Sequence, residues 1–298
     1  MGKYGVVDIG SNTVRLEVYD VNDHFVQLFF KKKEFLGLAN YVDKKILSNE
    51  GIRRTIDVLK DYIAISDLLR VEDLFIFATA AIRNAKNSKE VIDTIERETG
   101  HKIDLISGER EAELGFKLVS NRFGLDTAVN LDIGGGSTEI SAYDSGELVI
   151  SKSLPDGSLS LYREFVSGIL PKPDEVKAIK EKVRTYIRTE EISDQPRKKV
   201  YGVGGTIRMV NRLVAAYYEE DTGDVINTKK LYKIYKKLLD NDMTLVKLIL
   251  KIAPERIHTA IPGLIILTEL CSHLSVKAIL VSDSGVREGY LLSKIEGE

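Results

Sequence analysis

The sequence predicts an α/β protein of two domains, each a mixed sheet flanked by helices. Three observations carry that prediction. Residues 8–20, DIGSNTVRLEVYD, return without a gap as residues 132–144, DIGGGSTEISAYD, sharing Asp-Ile-Gly at the front and Tyr-Asp at the back. Each copy follows an apolar run, residues 4–7 and 128–131, and leads into a segment of alternating character, so each reads as strand, tight polar turn, strand. In both halves these hairpins give way to segments of helical period. The polar stretch 121–126 is the expected linker, which divides the chain into residues 1–123 and 124–298.

Along the first half the hairpin strands extend to about residue 30, and a helix follows Ser48, where Ile52, Ile56, Leu59 and Ile63 recur at helical spacing. Residues 74–78 read as a strand ending in Thr79-Ala80-Ala81-Ile82-Arg83, and residues 88–99 as a helix stopped by Gly100. A strand at 103–106 and a helix at 109–119 complete this half. The second half adds a strand at 148–154, helices from Ser158 and Asp174, and a strand ending in Gly204-Gly205-Thr206 before a helix near Ile207. A helical region at 228–250, an apolar helix after Pro262, a strand at 278–281 and a closing helix from about 285 to 295 end the second domain.

The turns point to anion chemistry. Glycine lets backbone N–H groups converge on an anion, and Ser11, Asn12, Thr13, Ser137 and Thr138 add polar donors. Asp8 and Asp132 end buried strands, where a carboxylate is costly unless it is hydrogen-bonded or binds a cation. One in each copy points to a cation shared by the two halves, or to two hairpins with capping carboxylates. In the repeat, Glu139 falls where the first copy has Arg15, which gives one cationic and one anionic arm. The strand–Gly-Gly-Thr–helix passage is a third anion-directed loop, with Arg208 in the following turn. No complete Walker or dinucleotide-binding pattern is present.

Composition excludes other classes. The 298 residues, 43% apolar and 30% charged, are an ordinary globular mixture, and a net charge of -2 supplies no bulk field for nucleic acid. Cys271 stands alone, which excludes an intramolecular disulfide and a cysteine metal cluster, and the 4 histidines show no zinc-ligand spacing. His258 reads as a loop histidine. The N-terminus lacks a signal-peptide pattern and the apolar run 260–270 is too short to span a bilayer, so a cytoplasmic protein without membrane partners is expected. Lys31-Lys32-Lys33 and Arg197-Lys198-Lys199 read as solvated faces that a long polyanion could follow.

Six stretches, DIGSNTVRLEVYD, ATAAIRNAKNSKEVI, ISGEREAELGF, LDIGGGSTEI, GVGGTIRMV and VSDSGVREGYLL, closely resemble the exopolyphosphatase/guanosine pentaphosphate phosphatase family over nearly the whole chain. The resemblance implies the actin-like ATPase (ASKHA) superfold, two ribonuclease H-like domains, in a short form without the extra helical region of longer relatives. It implies Glu111 as the base that activates water, Arg83 as an arginine reaching the phosphates, and Asp8, Asp132 and Glu139 as the acidic set around a divalent cation, Mg2+ or Mn2+, with Glu139 also assisting the water. Ser11, Asn12, Thr13 and Arg15 fall in the first phosphate loop, and Gly134, Gly135, Gly136, Ser137 and Thr138 in the second. Gly204, Gly205, Thr206 and Arg208 form the third anion-directed turn. Departures from the family's usual residues occur at Arg110, Glu113, Thr259 and Ser284.

The activity implied is hydrolysis of terminal phosphate from inorganic polyphosphate. Alternatives are 5′-phosphohydrolysis of guanosine pentaphosphate, ATP or ADP hydrolysis, and, in another class, a non-catalytic sensor of polyphosphate or nucleotide. Retention of Glu111, Asp132, Glu139 and Arg83 argues against a sensor. A homodimer is expected from the same resemblance.

Overall fold

The alternation along the first repeat folds as a hairpin in which β1 (Gly2–Ile9) runs antiparallel to β2 (Val14–Asn22), with Val7 opposite Leu16 and Asp8 opposite Arg15. The computed structural model describes residues 2–22, 25–123, 127–145, 147–190, 199–282 and 285–297, with the backbone alone for 116–123 and 199. His24, Arg197, Lys198, Asp283 and Ser284 lie outside the described residues.

After β2 come β3 (Phe25–Glu34), a small ladder of β4 (Val42–Asp43) with β5 (Ile46–Leu47), α1 (Asn49–Leu68) and β6 (Asp73–Ala78). Then follow α2 (Ala80–Arg83), α3 (Ser88–Thr99), β7 (Ile103–Leu105) and α4 (Gly108–Phe123). The sheet order is β3-β2-β1-β6-β7, antiparallel at the hairpins and parallel from β1 through β6 to β7. One face buries Val7, Ile9, Leu16 and Val18 against Ile52, Ile56 and Leu59 of α1 and Val91 and Ile95 of α3. Each fully buried aliphatic side chain contributes roughly 1.5–3 kcal/mol. Ser48 caps α1 by accepting from the Gly51 N–H at 3.3 Å.

The second repeat builds the second sheet in the same way. It uses β8 (Ala128–Ile133), β9 (Thr138–Asp144), β10 (Glu147–Leu154), α5 (Ser158–Phe165), α6 (Pro173–Thr189), β11 (Lys199–Val203) and α7 (Gly204–Tyr218). It closes with β12 (Val225–Asn227), α8 (Thr228–Leu239), α9 (Met243–Ile252), α10 (Ile257–His273) and β13 (Ala278–Val281). Its order, β10-β9-β8-β11-β13-β12, repeats the first sheet through five strands and adds an antiparallel edge. This is the mixed, helix-flanked ribonuclease H-like pattern expected twice over. Leu131, Ile133 and Ile140 pack with Ile179, Ile207 and Leu264 in its core.

The chain divides into two compact units, Met1–Leu114 with Val286–Glu298, and Gly115–Gly285. The closing helix, α11 (Val286–Glu296), therefore groups with the first unit rather than the second, and α4 runs through the boundary after Leu114; of the expected linker, residues 121–123 lie in α4 and 124–126 lie outside the described residues. The reason lies in its side chains. Val286, Tyr290 and Leu291 cover Val6, Tyr19 and Phe77 on the second face of the first sheet, and Asp104 accepts from Tyr290 Oη at 2.5 Å and pairs with Lys294 at 2.6 Å. Gly289 lies so close to the Leu114 carbonyl that a Cβ there would collide with it.

Other boundaries also moved. α7 begins at Gly204, not near Ile207, so Gly204-Gly205-Thr206 is its first turn. α10 begins at Ile257 and carries Pro262 and His258 inside it. A proline there denies the His258 carbonyl its N–H partner, but residues 259–268 are all buried, and that packing outweighs one lost bond. Cys271 in the same helix is 1% exposed, and burial pushes its thiol up to about 12. We expect no reaction with a maleimide in the native protein at pH 8 and full reaction in denaturant; rapid native labelling would contradict this packing.

Candidate active site

The two repeats end in turns of one design. In the first, the Gly10 N–H donates to the Thr13 carbonyl at 3.0 Å, and in the second the Gly134 N–H donates to the Ser137 carbonyl at 3.0 Å. Most of the carbonyls of these turns are tied away. Ser11 and Asn12 accept from the N–H groups of Ala39 and Gly37, both at 2.9 Å, while Gly134 and Gly135 accept from the first turn of α5 at 2.8–3.0 Å. Among the described residues, no protein acceptor takes the N–H groups of Ser11, Asn12, Gly135 or Gly136. Each turn thus spends most of its oxygens on scaffold and keeps donors for an anion.

Side chains hold the turns in shape. Ser11 and Thr13 are buried, and Thr13 Oγ1 accepts from Arg15 Nε at 3.2 Å. Arg15 therefore steadies its own loop. Thr138 Oγ1 donates to the Asp156 carbonyl at 3.0 Å, and Ser158 Oγ donates to the Gly134 carbonyl at 3.1 Å. At Gly157 a Cβ would stand 2.5 Å from the Gly134 carbonyl oxygen, so only glycine fits beneath this turn.

Asp132 faces Glu139 across the β8–β9 ladder, as Asp8 faces Arg15 across β1–β2. Glu139 is 2% exposed and accepts from Ser153 Oγ at 3.1 Å, which meets part of the cost of burying a carboxylate. Gly204, at φ 88, crosses Asp132 so closely that a Cβ would collide with Oδ1. This brings the N-terminus of α7, with Gly204, Gly205 and the buried Thr206, to the Asp132 carboxylate. Arg208 lies half-buried one turn on. Arg256, which the motif reading passed over, lies across Gly205, where a Cβ would overlap its guanidinium. His258 stacks edge-on to Tyr162 at 5.0 Å, and burial, aided by Arg256, holds its imidazole below the ordinary value.

In the first unit, Arg83 and Glu111 come together. Arg83 Nη1 donates to Glu111 Oε2 at 3.0 Å and to the Ile106 carbonyl at 3.1 Å. The short helix α2 presents the arginine, and the first turn of α4 presents the glutamate. Asp8 also has a partner. Arg287 Nη1 donates to Asp8 Oδ2 at 2.9 Å, and Arg287 Nε makes an ion pair with Glu17 Oε2 at 2.8 Å. Burial raises the Glu17 carboxyl, but Arg287 outweighs it, and the net effect is below the ordinary value.

Several of these groups carried little sequence signal. Arg287 sits in a recognisable stretch, yet 279 residues separate it from Asp8. Ser153 and Gly157 resemble any strand serine or turn glycine. The departures are resolved locally. Arg110 and Glu113 pair with each other at 3.3 Å, and Thr259 is buried with its Oγ1 donating to the Arg256 carbonyl at 3.3 Å.

The profile of the Ppx/GppA phosphatase family matches residues 17–298. The chain belongs to that family. This Ppx/GppA chain is 31% identical to a bifunctional 3-dehydroquinate synthase/phosphatase of Fusobacterium nucleatum over 98% of its own length, but spans only 46% of that relative. It is 27% identical to exopolyphosphatase 1 of Mycobacterium tuberculosis, covering 99% of this chain and 89% of the relative. It is also 27% identical to a guanosine-5'-triphosphate,3'-diphosphate pyrophosphatase of Pseudoalteromonas translucida, covering 98% and 59%. The crystal structure of the Aquifex aeolicus family member superposes with a TM-score of 0.80 at 25% identity, covering 100% of this chain and 99% of that one. An exopolyphosphatase from Cytophaga hutchinsonii shares the fold, with a TM-score of 0.88 at 23% identity over 99% and 98% of the two chains.

Proposed function

We propose that this phosphatase hydrolyses the terminal phosphoric anhydride of inorganic polyphosphate and releases orthophosphate. The observation that carries the proposal is the duplicated turn, with most of its carbonyls tied to scaffold and its N–H groups kept for an anion. Each such turn suits a phosphate group.

In this reading Glu111 takes a proton from the attacking water. Arg83, at 3.0 Å from that carboxylate, brings its positive charge to the transferring phosphoryl group. The phosphate-binding groups are Ser11, Asn12, Thr13 and Arg15 in the first unit, and residues 134–138 with Gly204, Gly205, Thr206 and Arg208 in the second. The acidic residues fit a hard divalent cation, for which we take Mg2+ or Mn2+. Among the described residues no three His, Cys, Asp or Glu side chains converge as a ready cage. Asp132 beside Glu139 in the second unit, and Asp8 in the first, are the hard oxygen donors that would hold such an ion. When bound, that ion offsets charge on the phosphate oxygens. We take the assembly to be a cytoplasmic homodimer that binds neither nucleic acid nor membrane; among the described residues no helix is long and apolar enough to cross a membrane.

A second reading, 5′-phosphohydrolysis of guanosine pentaphosphate, is favoured by the similarity to the pyrophosphatase. Phosphate release from long-chain polyphosphate, guanosine pentaphosphate and ATP, at matched concentration with Mg2+, decides between them. The proposal expects the highest kcat/KM on polyphosphate. A higher value on guanosine pentaphosphate selects the second reading, and binding without release from any of them selects a sensor.

A further inference from the structure

Arg287 occupies an unfavourable place for a cation. It stands in the first turn of α11, where the helix dipole repels positive charge, and only 11% of its side chain is exposed. Two carboxylates compensate it. Nη1 reaches Asp8 Oδ2 at 2.9 Å, and Nε reaches Glu17 Oε2 at 2.8 Å. Glu17 is itself fixed by Tyr19 Oη, which donates to it at 2.6 Å. Asp8 is thus held by one oxygen, while its Oδ1 lies beside Gly10, where a Cβ would stand 3.7 Å away. That second oxygen faces the turn that keeps the Ser11 and Asn12 N–H groups for an anion.

We propose that Arg287 is a positioning residue for the reaction, fixing the Asp8 carboxylate so that its second oxygen is presented to the first phosphate turn. This rests on the reading of Asp8 given above. Anchoring of α11 alone does not require the arrangement, since Tyr290 and Lys294 already hold the helix to Asp104. Lysine cannot replace the arginine, because one ammonium does not supply two separated nitrogens in a fixed plane.

The test compares wild type with Asp8→Asn, Arg287→Lys, Asp8→Asn/Arg287→Lys and Tyr290→Phe on the substrate that the wild type cleaves best, measuring kcat, KM and Tm. We expect Arg287→Lys to fold and to lose about tenfold in kcat with KM changed far less, an effect on orientation rather than binding. The double variant should be no slower than Asp8→Asn alone, because both changes act through one carboxylate. Tyr290→Phe should lower Tm and leave kcat unchanged. Wild-type kcat in Arg287→Lys, additive losses in the double variant, or an equal kcat loss in Tyr290→Phe would each overturn the proposal. If Arg287→Lys does not fold, Glu17→Gln replaces it by freeing one end of the guanidinium; a kcat loss then supports the proposal and unchanged kcat overturns it. Asp8→Asn with full turnover would instead remove the reading of Asp8, which separates the two failures.

Discussion

Glu111→Gln is expected to lower kcat by roughly 10³-fold, within the range that a positioned general base supplies. Glutamine keeps an oxygen to accept from Arg83 but cannot take the proton of an attacking water. Binding should survive, because the N–H groups of residues 11, 12, 135 and 136 do not depend on this side chain. The alanine variant separates chemistry from scaffold. It takes the Glu111 carboxylate away from Arg83, and removing one partner of a largely buried pair costs about 3 kcal/mol. The expected outcome is therefore a folded, substrate-binding, inactive glutamine variant and an inactive alanine variant of lower Tm. Near-normal kcat in Glu111→Gln, measured by phosphate release, would remove Glu111 from the reaction.

The second large effect is expected at Gly204. Alanine there must adopt φ near 88 and place its Cβ against Asp132 Oδ1. Left-handed strain and the clash together cost about 2–4 kcal/mol. Relief requires moving either the Asp132 carboxylate or the start of α7, and a displacement of about 1 Å at a reacting centre lowers the rate by about 10²-fold. Gly223→Ala is the control, since a Cβ there meets nothing within 4 Å. We expect Gly204→Ala to lose both Tm and kcat and Gly223→Ala to lose neither, as read by thermal unfolding and phosphate release. Wild-type behaviour of Gly204→Ala would mean that the close approach to Asp132 carries no function.

Those two positions were not equally legible in the sequence. Both hairpins could be read because a period of two and an identical Asp-Ile-Gly entrance mark them, and their registers follow from the alternation of buried and polar residues. Gly204 was visible as part of an anion-directed turn, but its role beneath Asp132 depends on a parallel pairing of β11 with β8, which no local pattern encodes. Arg83 and Glu111 were each singled out, while their ion pair depends on how α2 and α4 meet at the end of the first sheet. Arg287 was the hardest. Its helix follows the second unit in sequence and packs on the first, because Val286, Tyr290 and Leu291 complete the face opened by Val6 and Phe77. Pro262 misled the reading of α10 for a related reason, since local helix-breaking lost to continuous burial across residues 259–268.

The central claim is that water, activated at Glu111, accepts the terminal phosphoryl group. Turnover of the preferred substrate in ¹⁸O-enriched water, followed by mass analysis of the released orthophosphate, tests it most directly. Each phosphate released should carry a single ¹⁸O atom, and Glu111→Gln should lose that product. Unlabelled phosphate, or phosphoryl groups recovered on an acceptor other than water, would contradict it.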